Sequence, residues 1–204
     1  MPPVTRALIF ANVAVFGLQA LFGVAMFEHL ALWPLGHHYY PEMGVRPGFE
    51  PWQLVTSAFL HDPTSLAHIF FNMFALYMFG RDVEHALGSR RFAELYFAAV
   101  LTGSLAQLLV VSGAAGGAGP TVGASGGVFG VLLAFAMLYP HRKMVFILLP
   151  IPIPAWLLVL IYGAIELLSG VFGTMQGVAH FAHLGGMLGA YLVMQSRRTL
   201  RAKH

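Results

Sequence analysis

The chain has 204 residues, 58% of them hydrophobic and 9% charged, where an ordinary soluble domain carries about a quarter charged residues. With mean hydropathy +0.74, this composition excludes a water-soluble globule and suits one compact membrane bundle, a single domain over residues 1–204. The formal charge of +3 sits in short segments between apolar runs, which excludes a nucleic-acid surface and reads as an orientation signal; the absence of cysteine excludes disulfides, thiolate zinc sites and a cysteine nucleophile.

In chain order, the uncharged runs predict six spans, judged against the roughly 20 residues that cross the hydrocarbon. The first is 7–27, after Arg6. It is longer than the about 7–15 residues of a signal core, and Glu28 and His29 follow with no small-residue cleavage site, so it is expected to be retained. The loop 28–63 carries Trp33, Tyr39, Tyr40, Phe49 and Trp52, aromatic side chains expected in the membrane interface. The second span is 64–84, with its helix running through Arg81 toward Leu87, and the third is 92–111. Gly113 to Gly119 reads as a flexible outer loop, leading into the fourth span at 122–139. In the fifth, 152–169, Pro150, Pro152 and Pro154 cannot all lie in a helix interior. The helix proper is expected from Pro154, after an apolar approach segment 144–149. The sixth span is 177–195.

Six spans place ten of the eleven Lys and Arg on one side, leaving only Arg46 on the other. The positive-inside rule then puts both termini in the cytoplasm. Under this topology Ser125, at the outer start of the fourth span, lies level with His183 in the sixth and with His68 and Asn72 in the second. Polar groups at membrane depth are candidates for function. Serine needs a base within hydrogen-bond reach, and histidine is the usual base near neutral pH. Gly126 and Gly130 form a small-residue face on the fourth helix and Gly186 and Ala190 one on the sixth, so the two backbones can approach closely. The Ser125 N–H, the Asn72 amide and the His68 imidazole are the donors available to an oxyanion. His180 lies three residues before His183 on a similar face, so periodicity leaves both open as the base.

His68-xxx-Asn72, Gly123-x-Ser125-Gly126-xxx-Gly130 and Ala182-His183-xx-Gly186, in this order, resemble the rhomboid family of intramembrane serine proteases. Trp52-Gln53, Phe59-Leu60-His61 and Glu84-His85-Ala86-Leu87-Gly88-Ser89 support the resemblance, which runs from about Trp52 to the end of the sixth span. It implies an all-α, six-helix polytopic fold and cleavage of membrane-anchored substrates in or near their transmembrane segments. It implies Ser125 as nucleophile, His183 as base rather than His180, and His68, Asn72 and the Ser125 amide as the oxyanion site. It also implies a lateral gate at Pro154–Leu168, no cofactor and no metal. Phe129 stands where some members have a tyrosine packed on the catalytic histidine, and Gln53 replaces an arginine common after the tryptophan. Neither departure touches the dyad.

The same residues speak against rival readings. An aspartyl protease needs two adjacent carboxylates, but Asp62 and Asp82 fall at opposite faces. A zinc protease would show His-Glu-x-x-His. A metal site from His61, His68, His180 and His183 would leave the serine motif without a purpose. Glu166, near the outer end of the fifth helix, is expected to bond loop backbone or water rather than to complete a triad, and His61 to brace the first loop. The alternative function is a catalytically silent binder of transmembrane clients. The expected partners are transmembrane substrates and the bilayer, in a prokaryotic plasma membrane with the site facing outward.

Overall fold

The computed structural model describes the chain except residues 37, 38, 40–43, 45, 46, 114–118, 146–150, 174–177 and 202–204, and except the side chains of residues 197–201. It is mostly helical. Helix α1 spans Pro3–Phe22, α2 Val24–Leu30, α3 Gln53–Thr56, α4 Leu66–Ala75, α5 Arg81–Leu87, α6 Ser89–Gly113, α7 Ser125–Leu138, α8 Ala155–Phe172 and α9 His180–Arg201. A π-helical stretch, Leu76–Gly80, joins α4 to α5, so the second predicted span is one helical path continuing to Leu87, as expected. Among the described residues three helices, α1, α6 and α8, are long and apolar enough to cross a membrane, and α7 is a shorter apolar helix.

Two predicted boundaries move. The first helix begins at Pro3 rather than at residue 7, because proline suits the first helical turn and because Glu84 caps it from far along the chain. The Glu84 carboxylate accepts hydrogen bonds from the Val4 N–H at 2.9 Å, the Thr5 N–H at 2.7 Å and the Thr5 hydroxyl at 2.7 Å, and from the Ser89 hydroxyl at 2.7 Å. Leading N–H groups have no partner inside a helix, and a carboxylate there also meets the positive end of the helix dipole. The same helix stops at Gly23, whose backbone (φ 47°, ψ −122°) is accessible to glycine and few other residues. The first predicted run is therefore two helices.

Helix α8 starts immediately after Pro154, as the proline pattern predicts. The segment before it departs from expectation: Lys143–Met144 (β1) pairs antiparallel with Ile153–Pro154 (β2). Much of the predicted approach segment 144–149 lies outside the described residues. The Ala155 and Trp156 N–H groups donate to the Arg142 and Pro140 carbonyls, so the turn after α7 caps α8.

The centre of the bundle is α6, α7 and α9, which share the most extensive helix contacts. Glycine makes this possible. A Cβ on Gly186 would collide with the Gly126 carbonyl of α7, and one on Gly130 would meet the Ala99 side chain, the Gly186 carbonyl oxygen at 2.9 Å and the Ala190 side chain at 3.2 Å. Gly185 and Gly189 do the same against α6, at Thr102, Ala106 and Ala98. Around this seam Leu76, Phe79, Val83, Phe92, Tyr96 and Phe135 form the apolar core. Phe10, Leu21, Leu160, Leu168 and Phe172 on α1 and α8 are exposed, an apolar surface of the kind that faces lipid.

The bundle has two distinct ends. At one, Glu84 holds the start of α1, Arg142 pairs with Asp82 at 2.6 Å, and Arg91 binds the Val193 carbonyl and the Ser196 hydroxyl near the end of α9. At the other, α4, α7 and α9 begin, carrying His68, Ser125 and His183.

Candidate active site

Ser125 is the first residue of α7, so its N–H belongs to the leading set that finds no acceptor within the helix. The turn before it is fixed twice to the first loop. Leu32 and Thr121 exchange backbone hydrogen bonds of 3.0 and 2.9 Å, and the Gly123 N–H donates to the Ser57 carbonyl at 3.0 Å. Gly123 has φ +131°, and a Cβ there would lie 2.9 Å from His68 Nε2. Both the backbone angle and the space require glycine.

The Ser125 hydroxyl lies 2.8 Å from His183 Nε2. His180 does not reach the serine. Its Nδ1 lies 2.6 Å from Glu166 Oε2, because one helical turn carries it toward α8. The His183 ring is stacked on Phe129, with centroids 4.1 Å apart and planes 5° apart, so the phenylalanine provides the packing expected at that position. Tyr162 of α8 meets the Phe129 ring edge-on.

Glu166 departs from expectation. It is buried, and its Oε2 lies 2.6 Å from His180 Nδ1 and 2.9 Å from His183 Nδ1, so two histidines of α9 stand against it. The second contact is an ion-pair distance whose direction misses the ring N–H line, since His183 Nδ1 has no hydrogen-bond acceptor of good geometry. A lone carboxylate in an apolar helix was a legible signal; its partners, on another helix, were not.

His68 is oriented by a relay from α1. The Gln19 side chain exchanges two hydrogen bonds with the His61 backbone, 2.8 and 2.9 Å long, so His61 braces the first loop as expected. The next residue, Asp62, donates its N–H to His68 Nδ1 at 3.2 Å. In the neutral ring the hydrogen then sits on Nε2, the atom beside Gly123 and the serine. Asn72 is not brought to Ser125 in the same way. Its Nδ2 donates to the His68 carbonyl at 2.9 Å, which leaves one amide hydrogen uncommitted. Trp33, expected at the interface, is instead buried, with its indole N–H on the Phe27 and Glu28 carbonyls. It closes the end of α2. Trp52 and Tyr39 are exposed, and Tyr40 lies outside the described residues.

Two groups at the mouth are electrostatically set. Burial, with the His68 ring 5.0 Å away, pushes the His61 imidazole down to about 4. The Thr64 hydroxyl, helped by the Thr64 N–H and opposed by partial burial, holds the Asp62 carboxyl below its usual range. Ser125, His183 and His68 open into a cavity of about 930 Å³, which Gln19, Gln107 and Asp62 also line. Among the described residues no three His, Asp or Glu converge as a metal site.

A sequence model of the Rhomboid domain matches residues 48–197, a stretch containing Ser125, His183, His68 and Asn72. The chain belongs to the rhomboid family. It is 32% identical over 197 residues to Rhomboid protein 1, mitochondrial, of Saccharomyces cerevisiae, an alignment covering 89% of this chain and 49% of that one. It is also 32% identical over 143 residues to Rhomboid protease GluP of Bacillus subtilis, covering 70% and 25%. Rhomboid-like protein 11, chloroplastic, of Arabidopsis thaliana is 30% identical over 169 residues, covering 76% and 57%. This rhomboid thus spans about half the length, or less, of the first two. The mitochondrial and chloroplastic names do not fit the expected prokaryotic plasma membrane.

Residues that sequence reasoning missed on this rhomboid are mostly packing partners. Gly103 on α6 lies against the Ala182 carbonyl, and Gly185 and Gly189 face α6, while the expected small-residue faces were Gly126 and Gly130 on the fourth helix and Gly186 and Ala190 on the sixth. A signal was present on α6, where Ala98, Thr102 and Ala106 recur every four residues beside Ala99 and Gly103.

Proposed function

We propose that this rhomboid is an intramembrane serine endopeptidase that cleaves transmembrane protein substrates through an acyl-enzyme. The observation that carries the reading is the 2.8 Å contact between the Ser125 hydroxyl and His183 Nε2 at the wall of an open, partly polar cavity. The Ser125 proton passes to Nε2 as Oγ attacks the scissile carbonyl carbon. The imidazolium returns that proton to the leaving nitrogen as the C–N bond breaks, leaving an ester on Oγ. Water then gives a proton to Nε2 and attacks the ester, releasing the new carboxyl end and restoring the hydroxyl. His68 Nε2–H and the Ser125 N–H stabilise the oxyanion, with Asn72 a third donor; the start of α7 adds the favourable end of its dipole.

The topology proposed with this activity is six spans, both termini cytoplasmic, and the serine near the opposite surface. It is supported by the charge distribution and by the gathering of Arg91, Arg142, Asp82 and Glu84 at one end of the bundle. Gln19, Gln107 and Asp62 beside Ser125 give water a polar path at that depth.

The test is labelling of the purified protein in detergent with a fluorophosphonate, read by intact mass. One adduct, lost in both Ser125→Ala and His183→Ala, is expected. No adduct on folded protein, where a known serine hydrolase labels, replaces the protease reading with that of a silent client binder.

A further inference from the structure

Glu166 is 7% exposed on a largely apolar helix, and two histidines that are themselves buried stand at contact distance from its carboxylate, His180 at 6% and His183 at 7%. A buried carboxylate in a membrane helix is costly unless it is paired, so this constellation needs a purpose. Its chemistry supplies one. An ionised carboxylate only accepts hydrogen bonds. Oε2 accepts a hydrogen bond from His180 Nδ1 and lies 2.9 Å from His183 Nδ1, off the N–H line, so its negative charge favours the hydrogen on Nδ1 in each ring. For His183 that choice leaves the Nε2 lone pair facing the Ser125 hydroxyl 2.8 Å away, the state able to receive the serine proton. The opposite tautomer would present an N–H to the hydroxyl.

We propose that Glu166, braced by His180, is a positioning residue that fixes His183 as the Nδ1–H tautomer and offsets the charge of its imidazolium. This rests on the reading of Ser125 and His183 as a working pair. Glu166 stays ionised throughout and takes no proton. His180 sits nearer the carboxylate than His183 does, 2.6 against 2.9 Å, so it is His180 that sets where Oε2 lies. Phe129 stacks on the other side of the site and fixes the plane of the His183 ring. The ring is thus held by its face through Phe129 and by its edge through Glu166. A contact made only to tie α8 to α9 would need one histidine; this carboxylate engages two, and one of them is the proposed base.

The experiment compares wild type, Glu166→Gln, Glu166→Asp and His180→Gln for inactivation by a fluorophosphonate, separating the maximal rate from the half-saturating concentration. Glu166→Gln keeps the shape and removes the charge. Its maximal rate should fall about 10²- to 10⁴-fold, as when the orienting acid of a Ser-His-Asp triad is neutralised. Half-saturation and melting temperature should be nearly unchanged, and Glu166→Asp should recover at least about a tenth of the wild-type rate. His180→Gln should lose less than Glu166→Gln. A Glu166→Gln protein that is folded and labels within about threefold of wild type overturns the proposal. A second readout does not depend on activity: the ¹⁵N spectrum of histidine-labelled protein, with His183 assigned by its loss in His183→Gln. The Nδ1–H tautomer in wild type supports the positioning role even in a protein that fails to label, where the protease reading alone falls. The Nε2–H tautomer in wild type refutes the role whether or not the protein labels.

Discussion

A single methyl group on α9 should disable the site without touching a reacting atom. In Gly186→Ala the added Cβ collides with the Gly126 carbonyl oxygen and would lie 2.7 Å from its carbon. Restoring ordinary contact of about 3.4 Å to that carbon alone separates α7 from α9 by about 0.7 Å, and the oxygen demands more. Ser125 stands on α7 and His183 on α9, so their 2.8 Å contact stretches to about 3.5 Å, the outer limit of a hydrogen bond. Misplacement of about 1 Å costs on the order of 10²-fold in rate, and overpacking costs about 1–3 kcal/mol in stability. The assay is the fluorophosphonate labelling rate alongside melting followed by circular dichroism, with Gly17→Ala as control because a Cβ there meets nothing within 4 Å. Gly186→Ala should retain its fold and lose about 10²-fold in labelling rate, while Gly17→Ala matches wild type. A folded Gly186→Ala protein labelling at the control rate would refute the link between helix approach and the dyad.

Three further outcomes are expected. His68→Ala should lower the rate of peptide cleavage about 10²-fold with little change in KM, because its Nε2 lies against Gly123 in the cavity that Ser125 lines; an equal or larger loss from Asn72→Ala would move the main donor role to the amide. The His61 imidazole has its folded-state pKa at about 4, below the unfolded value of about 6.5. The unfolded chain therefore binds more protons between these values, and stability present above pH 6.5 is lost as pH falls toward 4, by up to about 3 kcal/mol. Denaturant unfolding of His61→Gln over that range should show a shallower decline; an identical slope would remove His61 as its source. Glu84→Ala strips the N–H groups of Val4 and Thr5 of their acceptor and should destabilise the fold by about 2–4 kcal/mol, read as a lowered melting temperature, with Glu84→Gln losing less.

How legible each part was follows from where its partner lies. The start of α8 at Pro154 was readable because proline acts on its own backbone. Ser125 and His183 were brought together on paper by span direction alone, since a helix entered from one side delivers its first residues to one depth. The choice of His183 over His180 was not readable from periodicity, because one turn of helix separates faces by only tens of degrees; the structure separates them at Ser125, whose hydroxyl meets His183 Nε2. The beginning of α1 was misplaced because a charge, Arg6, reads as a boundary, whereas the cap that starts the helix comes from Glu84. Trp33 was assigned to the interface by residue type, but carbonyls at the end of α2 bind its indole. In the first of these cases a contact from far along the chain overrode a local rule; in the second, carbonyls five and six residues back overrode a preference of residue type.

The exchange of hydrogen bonds between Leu32 and Thr121, with Gly123 tied to Ser57, anchors the turn before the nucleophile to the first loop rather than to the stretch of chain that immediately precedes it. The glycine-rich stretch that ends α6 hands the chain to two anchors before it reaches Ser125. An epitope tag inserted before Gly119 should therefore report topology while Ser125 labels at the wild-type rate. The first loop has the opposite status: as the jig against which the serine turn is set, it is the part of the outer surface least able to drift.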